Sequence, residues 1–149
     1  MSVGIKRAAF EAALAYAKTE TRGGSVPILE RQSVADLLID VKMRCEASRY
    51  LTWKALHGLE NGPGGFAARL EMALEAKVFA SDNAVKCVVD AMKVVGMSAH
   101  AKDQPFPRLL NDAACLPLFD GGNVGIRRRQ IERIFLAEEY EPWAASYGV

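Results

Sequence analysis

The run Asn61-Gly62-Pro63-Gly64-Gly65 constrains this chain more than any other stretch. Glycine and proline in such density stop a helix, because one loses too much backbone entropy and the other has no N–H to give. On each side lies a helical pattern of about thirty residues. From 30 to 59 the apolar positions Val34, Leu37, Leu38, Val41, Cys45, Leu51 and Leu56 form one stripe, with Asp36, Asp40, Lys42 and Arg49 among the polar positions. From 66 to 95 the pattern is apolar on more than one side, through Leu70, Ala73, Leu74, Lys77, Val78, Ala80, Ala84, Val85, Val88, Val89 and Met92. Two helices of similar length joined by a short turn pack antiparallel. A helix apolar beyond one stripe is buried in a bundle or against another subunit.

The remaining segments are also helical. Ile5, Phe10, Leu14 and Ala17 recur at three- and four-residue steps from 3 to about 20, until Thr21-Arg22-Gly23-Gly24-Ser25-Val26-Pro27 breaks the pattern. A loop from 100 to 107 carries Pro105 and Pro107 and leads to a short helix. A last helix is expected from 123 to 137, with Val124, Ile131, Ile134, Phe135 and Leu136 as its apolar residues. No strand-like alternation competes with these patterns, and no internal repeat is visible. The expected fold is all-α: one domain over 1–149, an antiparallel helical bundle of four main helices plus a short one.

At 149 residues such a domain buries roughly two-thirds of its unfolded surface. The net charge of +1 gives no bulk electrostatic case for nucleic acid or an anionic membrane. No run reaches the ~18 apolar residues of a membrane span. Cys45, Cys87 and Cys115 are widely spaced and odd in number, without metal-ligand spacing. Buried, reduced thiols in an intracellular protein are the expectation. The first residues hold no signal-peptide core, and Glu11 and Glu20 argue weakly against a transit peptide; the expected setting is intracellular, cytoplasmic with mitochondrial as the alternative. The chain enters a helix almost at once, as a domain cut from a longer protein would.

Chemistry gathers in Leu118-Phe119-Asp120-Gly121-Gly122-Asn123-Val124-Gly125-Ile126-Arg127. An apolar approach, set extended by Pro117, ends in a lone carboxylate. A helix starting after the glycines would place Asp120 at its N-terminal edge. Arg127 lies seven residues on, about two turns, on the same face and near enough to orient it. A carboxylate beside glycines that permit close approach of a ligand suits a general base. The same residues also read as an Asp N-cap followed by a solvated basic face. Arg127, Arg128 and Arg129 cannot share one face, so one can turn towards Asp120 while the others face solvent or a partner. The tail from Tyr140 to Val149, with Trp143 and Tyr147, is aromatic and is expected to dock on another surface.

Taken together, these motifs resemble the C-terminal end of the acyl-CoA dehydrogenase superfamily, from about Arg7 to the C-terminus. That family places a carboxylate, usually Glu, before Gly-Thr-Ser. Asp120 followed by Gly-Gly-Asn and then Arg127 is more similar to the nitroalkane oxidase branch, whose base is an Asp assisted by an Arg seven residues later. Lys77-Val78-Phe79-Ala80-Ser81-Asp82-Asn83-Ala84 resembles a family signature on its helix. Asp103, Pro105, Arg108 and Asp112 match an element that braces the short helix before the base.

The resemblance implies FAD as cofactor, and it implies contacts to that flavin. Arg22 stands near a position that reaches the flavin phosphates, commonly of a neighbouring subunit, and otherwise reads as an exposed loop arginine. Arg31 and Gln32 match a flavin-contacting pair, with a first-turn polar residue in water as the other reading. Lys93, Gly96 and Met97 stand where the family has Gln and Gly-Gly beside the dinucleotide, although Lys93 also reads as a plain helix-end lysine. Gly121 and Gly122 complete the set. The partners implied are further copies of the chain, as a dimer of dimers, and a small-molecule substrate, a nitroalkane or an acyl-CoA. In the family this bundle follows an N-terminal helical domain and a central β domain, both absent here. Three roles are thus open: the base-bearing domain of a nitroalkane oxidase-like enzyme, in which Asp120 removes the α-proton; an acyl-CoA dehydrogenase-type domain; and a non-catalytic helical module for self-association.

Overall fold

The computed structural model describes residues 1–146. Tyr147, with the last two residues of the aromatic tail, lies outside the described residues. The helices are α1 (Ser2–Thr19), α2 (Gln32–Asn61), α3 (Phe66–Val95), α4 (Phe106–Cys115) and α5 (Arg128–Phe135). Short 3-10 turns at Ile28–Glu30 and Gly96–His100 and a π-turn at Gly122–Arg127 join them. No strand occurs among the described residues. Three helices are long and two are short, so the last helix contributes less than the sequence pattern suggests.

Contacts fix the directions. Gly58 leaves the space that the Met72 side chain fills, and at the other end Arg44 reaches Asp90 at 3.0 Å. As numbers fall along α2 they rise along α3, so the pair is antiparallel. Lys6 meets the carbonyl of Ala80 at 3.0 Å, and Arg22, just past α1, meets that of Val94 at 2.8 Å. α1 therefore runs parallel to α3. α4 runs back along α3 from its C-terminal end, and α5 does the same nearer the N-terminal half.

α3 is the centre of the molecule: α1, α2, α4 and α5 all pack on it, and 15 of its 30 residues are buried. Of the two coverings the pattern allowed, a bundle or another subunit, the chain's own helices supply most of it. α3 leaves Phe66 and Phe79 exposed, while α2 exposes a longer series, Ile39, Met43, Tyr50, Trp53 and Leu56. The main core joins Ile5, Ala9, Ala13 and Ala17 of α1 to Val88, Ala91 and Val95 of α3 and to Phe106 and Ala113 of α4. Alanines along α1 allow that close approach.

Two polar groups are built into this interior. Lys6 is fully buried and donates to Ser48 Oγ and to the Ala80 carbonyl at 3.0 Å. Burial lowers its pKa, against the opposing pull of Cys87 and Cys45. Asp90 is buried on α3 and pairs with Lys93 at 2.8 Å and Arg44 at 3.0 Å. Burial alone would raise its pKa, but Lys93, Lys86 and Arg44 outweigh it and hold the carboxyl below its ordinary value. Cys45 and Cys87 are buried as expected, whereas Cys115 is exposed, because it sits on the outer side of the last turn of α4. The tail docks on its own chain: Tyr140 Oη donates to Glu71 Oε1 at 2.8 Å, and Ala145 packs with Ala55, Met72 and Ala76. No helix among the described residues is long and apolar enough to cross a membrane.

Candidate active site

After α4 the chain turns back on itself. Leu118 and Phe119 both donate their N–H to the Cys115 carbonyl, at 3.0 and 3.1 Å. Three consecutive residues then take left-handed backbone angles: Asp120 (φ 57°), Gly121 (φ 81°) and Gly122 (φ 72°). Aspartate is one of the few non-glycine residues that tolerates this region. A Cβ on Gly121 would meet Ile126 Cδ1 at 2.7 Å, so glycine at 121 is demanded by the chain's own packing. Gly122 has more room, with 3.7 Å to the nearest atom.

The loop enters the last helix through the π-turn rather than directly. A left-handed run cannot start an α-helix, and the wider turn brings the chain into register for α5. The amides of Gly122 and Asn123 are already spent on the carbonyls of Phe119 and Pro117, at 3.2 and 2.8 Å. The expected picture of Asp120 facing the free N–H groups of a helix N-terminus is thereby corrected.

What the sequence placed beside Asp120 is there. Arg127 Nη2 lies 2.7 Å from Asp120 Oδ2, and its Nε donates to the Asp120 backbone carbonyl at 3.0 Å. Arg127 Nη1 donates to Gln130 Oε1 at 2.9 Å. The guanidinium is largely covered, at 20% side-chain exposure, while the carboxylate stands out at 59%. Arg128 turns the other way and pairs with Asp82 at 2.8 Å, so successive arginines do separate onto different faces. Leu118 and Phe119 are exposed; on this chain they border the carboxylate without enclosing it.

Beneath the loop lie residues that sequence reasoning missed. Asn123 is 1% exposed. Its Nδ2 donates to Ser81 Oγ at 2.8 Å and Asp82 Oδ1 at 2.6 Å, and its Oδ1 accepts from Lys77 Nζ. Lys77 also reaches the carbonyls of Leu116 at 3.4 Å and Phe119 at 3.5 Å. Its ammonium lies 5.7 Å from the centre of the Phe119 ring. Burial and the nearby Arg127 lower the pKa of Lys77, while Asp120 and Asp82 pull the other way. Periodicity counted Lys77 among apolar positions. The signal that could have found it is a lysine on the inner face of a buried helix, which must have acceptors to be there. An apolar groove of about 290 Å³ runs along α2 and α3 to Lys77 and Phe119, lined also by Leu56, Ala73 and Ala76.

The residues proposed for flavin lie elsewhere. Arg22 (φ 50°) donates its Nη2 to Val94 and sits against Gly96 at the C-terminal end of α3. Arg31 reaches the Thr21 carbonyl at 3.3 Å. Gln32 is exposed and donates to Asp36 at 2.7 Å. Lys93 is engaged with Asp90, and Met97 is 85% exposed. Arg22, Arg31 and Gly96 thus cluster around one end of α3, whereas Gly121 and Gly122 stand beside Lys77 towards the other. Nineteen residues of helix separate Lys77 from Gly96, about 28 Å. Arg108 and Asp112 form a long, exposed pair at 3.8 Å that does not reach the carboxylate, so the bracing of the loop falls to Lys77 and Asn123.

Comparison with known proteins agrees with this geometry. The family described as acyl-CoA dehydrogenase, C-terminal domain, matches residues 1–136. The nitroalkane oxidase of Fusarium oxysporum is 58% identical over 148 residues, which cover 99% of this chain and 34% of that protein. The solved Podospora anserina nitroalkane oxidase superposes with a TM-score of 0.96 at 56% identity, again over 99% of this chain and 34% of the other. A further nitroalkane oxidase structure (TM-score 0.95, 57% identity, 99% of this chain and 34% of that one) addresses the roles of an aspartate and an arginine, seven positions apart, in the reaction of that flavoprotein. The chain spans about a third of the length of the curated relatives it matches.

Proposed function

Because this chain belongs to the acyl-CoA dehydrogenase family, as its C-terminal domain, we propose that it is the base-bearing part of a flavin-dependent oxidase of small nitroalkanes. One observation carries the reading: an exposed carboxylate, Asp120, held at 2.7 Å by an arginine seven residues on, the spacing of the aspartate and arginine addressed in a nitroalkane oxidase.

Asp120 takes the α-proton of the substrate. The C–H electron pair moves onto the nitro group, which spreads the charge over two oxygens. Arg127 keeps the carboxylate aimed by gripping it and its own backbone carbonyl together, so the base does not have to be ordered at the moment of reaction. A carbon acid is deprotonated faster by a base with restricted access to water. Phe119 and Leu118 supply one apolar border, and the remaining wall belongs to parts of the enzyme outside this chain.

Bound FAD would supply the two-electron acceptor that oxidises the nitronate carbon to an aldehyde with loss of nitrite, and oxygen would regenerate it with formation of peroxide. The residues present fit its phosphate end: the Arg22 guanidinium lies against the turn at Gly96, and Arg31 reaches the Thr21 carbonyl beside Arg22. With about 28 Å of α3 between that turn and Lys77, these residues and Asp120 serve different flavins in an assembly of several copies. This spacing supports the homo-oligomeric reading, a dimer of dimers. Gln32, Lys93 and Met97 are secondary candidates, since Gln32 and Lys93 already have partners on their own helices.

The test is parallel oxidation of nitroethane, with peroxide detected, and butyryl-CoA, with an artificial acceptor, by the enzyme that carries this domain. Turnover of nitroethane supports the proposal. Turnover of the thioester alone assigns the acyl-CoA dehydrogenase role instead.

A further inference from the structure

From the geometry under the loop we infer that Asn123 and Lys77 are positioning residues for proton abstraction, a clamp that holds the Asp120 carboxylate at the tip of its left-handed loop. The inference rests on the reading of Asp120 as base.

The loop is tied down on both sides, and Arg127 grips its middle. On the approach side, Lys77 Nζ reaches the carbonyls of Leu116 and Phe119. On the far side, Asn123 donates its backbone N–H to Pro117 at 2.8 Å. The Asn123 side chain uses both ends of its amide at once: Oδ1 accepts from Lys77, and the two hydrogens of Nδ2 go to Ser81 and Asp82. A buried amide with both donors and its acceptor engaged has one orientation. Lys77 joins the two sides, because it bonds both Asn123 and the carbonyls before Asp120.

Between these anchors stand Asp120, Gly121 and Gly122, all at positive φ. Aspartate in this region stays only where the surroundings over-determine it. Arg127 grips the loop from the start of α5, where it also holds Gln130. Among the described residues, Lys77, Ser81 and Asp82 are the α3 side chains that hydrogen-bond the loop directly. The clamp therefore acts through Asp120 and touches no reacting atom.

The test separates proton transfer from everything after it. A nitroalkane ionised beforehand to its nitronate no longer needs the base. The flavin-loaded enzyme carrying this domain is assayed with neutral nitroethane and with ethyl nitronate, as wild type and as Asn123→Ala and Lys77→Met. The clamp predicts a fall of about 10- to 100-fold in kcat/KM for the neutral substrate, with the nitronate changed less than threefold. Ser81→Ala, which removes one partner of Asn123 and the Ser81 hydroxyl's own bonds to the Lys77 and Val78 carbonyls but leaves the backbone ladder of α3 intact, gives a smaller loss with the same split and serves if the first variants do not fold. Equal losses on both substrates, or no loss on the neutral one, overturn the positioning role. A wild type inactive on both substrates overturns the reading of the base itself, and a wild type active on the nitronate alone does the same.

Discussion

Arg127 holds Asp120 by two different groups, the carboxylate at 2.7 Å and the backbone carbonyl at 3.0 Å. The guanidinium therefore fixes both the side chain and the peptide that carries it. A planar fork does this with two nitrogens in fixed geometry, which the single nitrogen of a lysine does not reproduce. Arg127→Lys is expected to lower kcat/KM for a neutral nitroalkane by about 10- to 100-fold, with flavin still bound. Steady-state kinetics with the absorbance of bound flavin checks it.

The two glycines after Asp120 are not equivalent. Gly121→Ala places a Cβ 2.7 Å from Ile126 at φ 81°, whereas the same change at Gly122 meets nothing closer than 3.7 Å, though φ is 72° there too. Each substitution carries about 1–2 kcal/mol of left-handed strain, and only Gly121→Ala adds a clash. Thermal unfolding should show the larger loss for Gly121→Ala, and activity should follow the same order.

Buried Lys6 makes stability depend on pH in a defined direction. Its pKa is lowered by burial, against the pull of Cys87 and Cys45. In the window below 10.5 the unfolded chain binds the extra proton, so stability from this group rises with pH and is lost as pH falls through the folded pKa. Lys6→Met removes that dependence. It is expected to stabilise the domain by about 1–3 kcal/mol at neutral pH, with the advantage shrinking towards pH 10.5. Urea unfolding of both proteins at pH 7 and pH 10 measures the difference. The Cys87 thiol, pushed up to about 11 by burial, acts oppositely: its contribution is complete below pH 9 and is lost as pH rises through about 11. Lys6 itself pulls that thiol pKa down, so the pH 7 comparison, below the thiol's range, carries the test of Lys6.

Much of the fold was legible because breaks and periods are strong signals. The run Asn61–Gly65 and the two thirty-residue patterns place α2 and α3 within two residues of their observed ends. The pairing of Asp120 with Arg127 was legible from their spacing. The support beneath them was not. Lys77 sits in an apolar period, which says which face a residue occupies but not that a lysine on it will find three carbonyl oxygens. Asn123 looked like a helix start because the π-turn that buries it leaves no mark in hydropathy. Lys93 looked available to a phosphate because its partner, Asp90, is buried only once α2 brings Arg44 across. The sequence left α3 buried either in a bundle or against another subunit, since a pattern apolar all round does not reveal which neighbours cover it; most of α3 is covered within the bundle, and α2 exposes the longer apolar series.

The isolated domain should therefore associate through α2 and carry no flavin. Ile39, Met43, Tyr50 and Trp53 fall within one arc of the helix, outside the bundle. Light scattering on the purified 16.2 kDa chain is expected to give a multiple of that mass, reduced to the monomer by Met43→Glu with Trp53→Glu. A stoichiometric yellow protein would contradict the flavin half of this prediction, because the bundle alone offers no wall for the ring.

The most direct measurement of the central claim is kcat/KM for neutral nitroethane in Asp120→Asn, with flavin content held equal. The amide keeps the shape and the contact with Arg127 but cannot take the proton. A loss of about 10² to 10⁴ is expected, with the preformed nitronate still oxidised. Undiminished turnover of the neutral substrate would show that Asp120 is not the base.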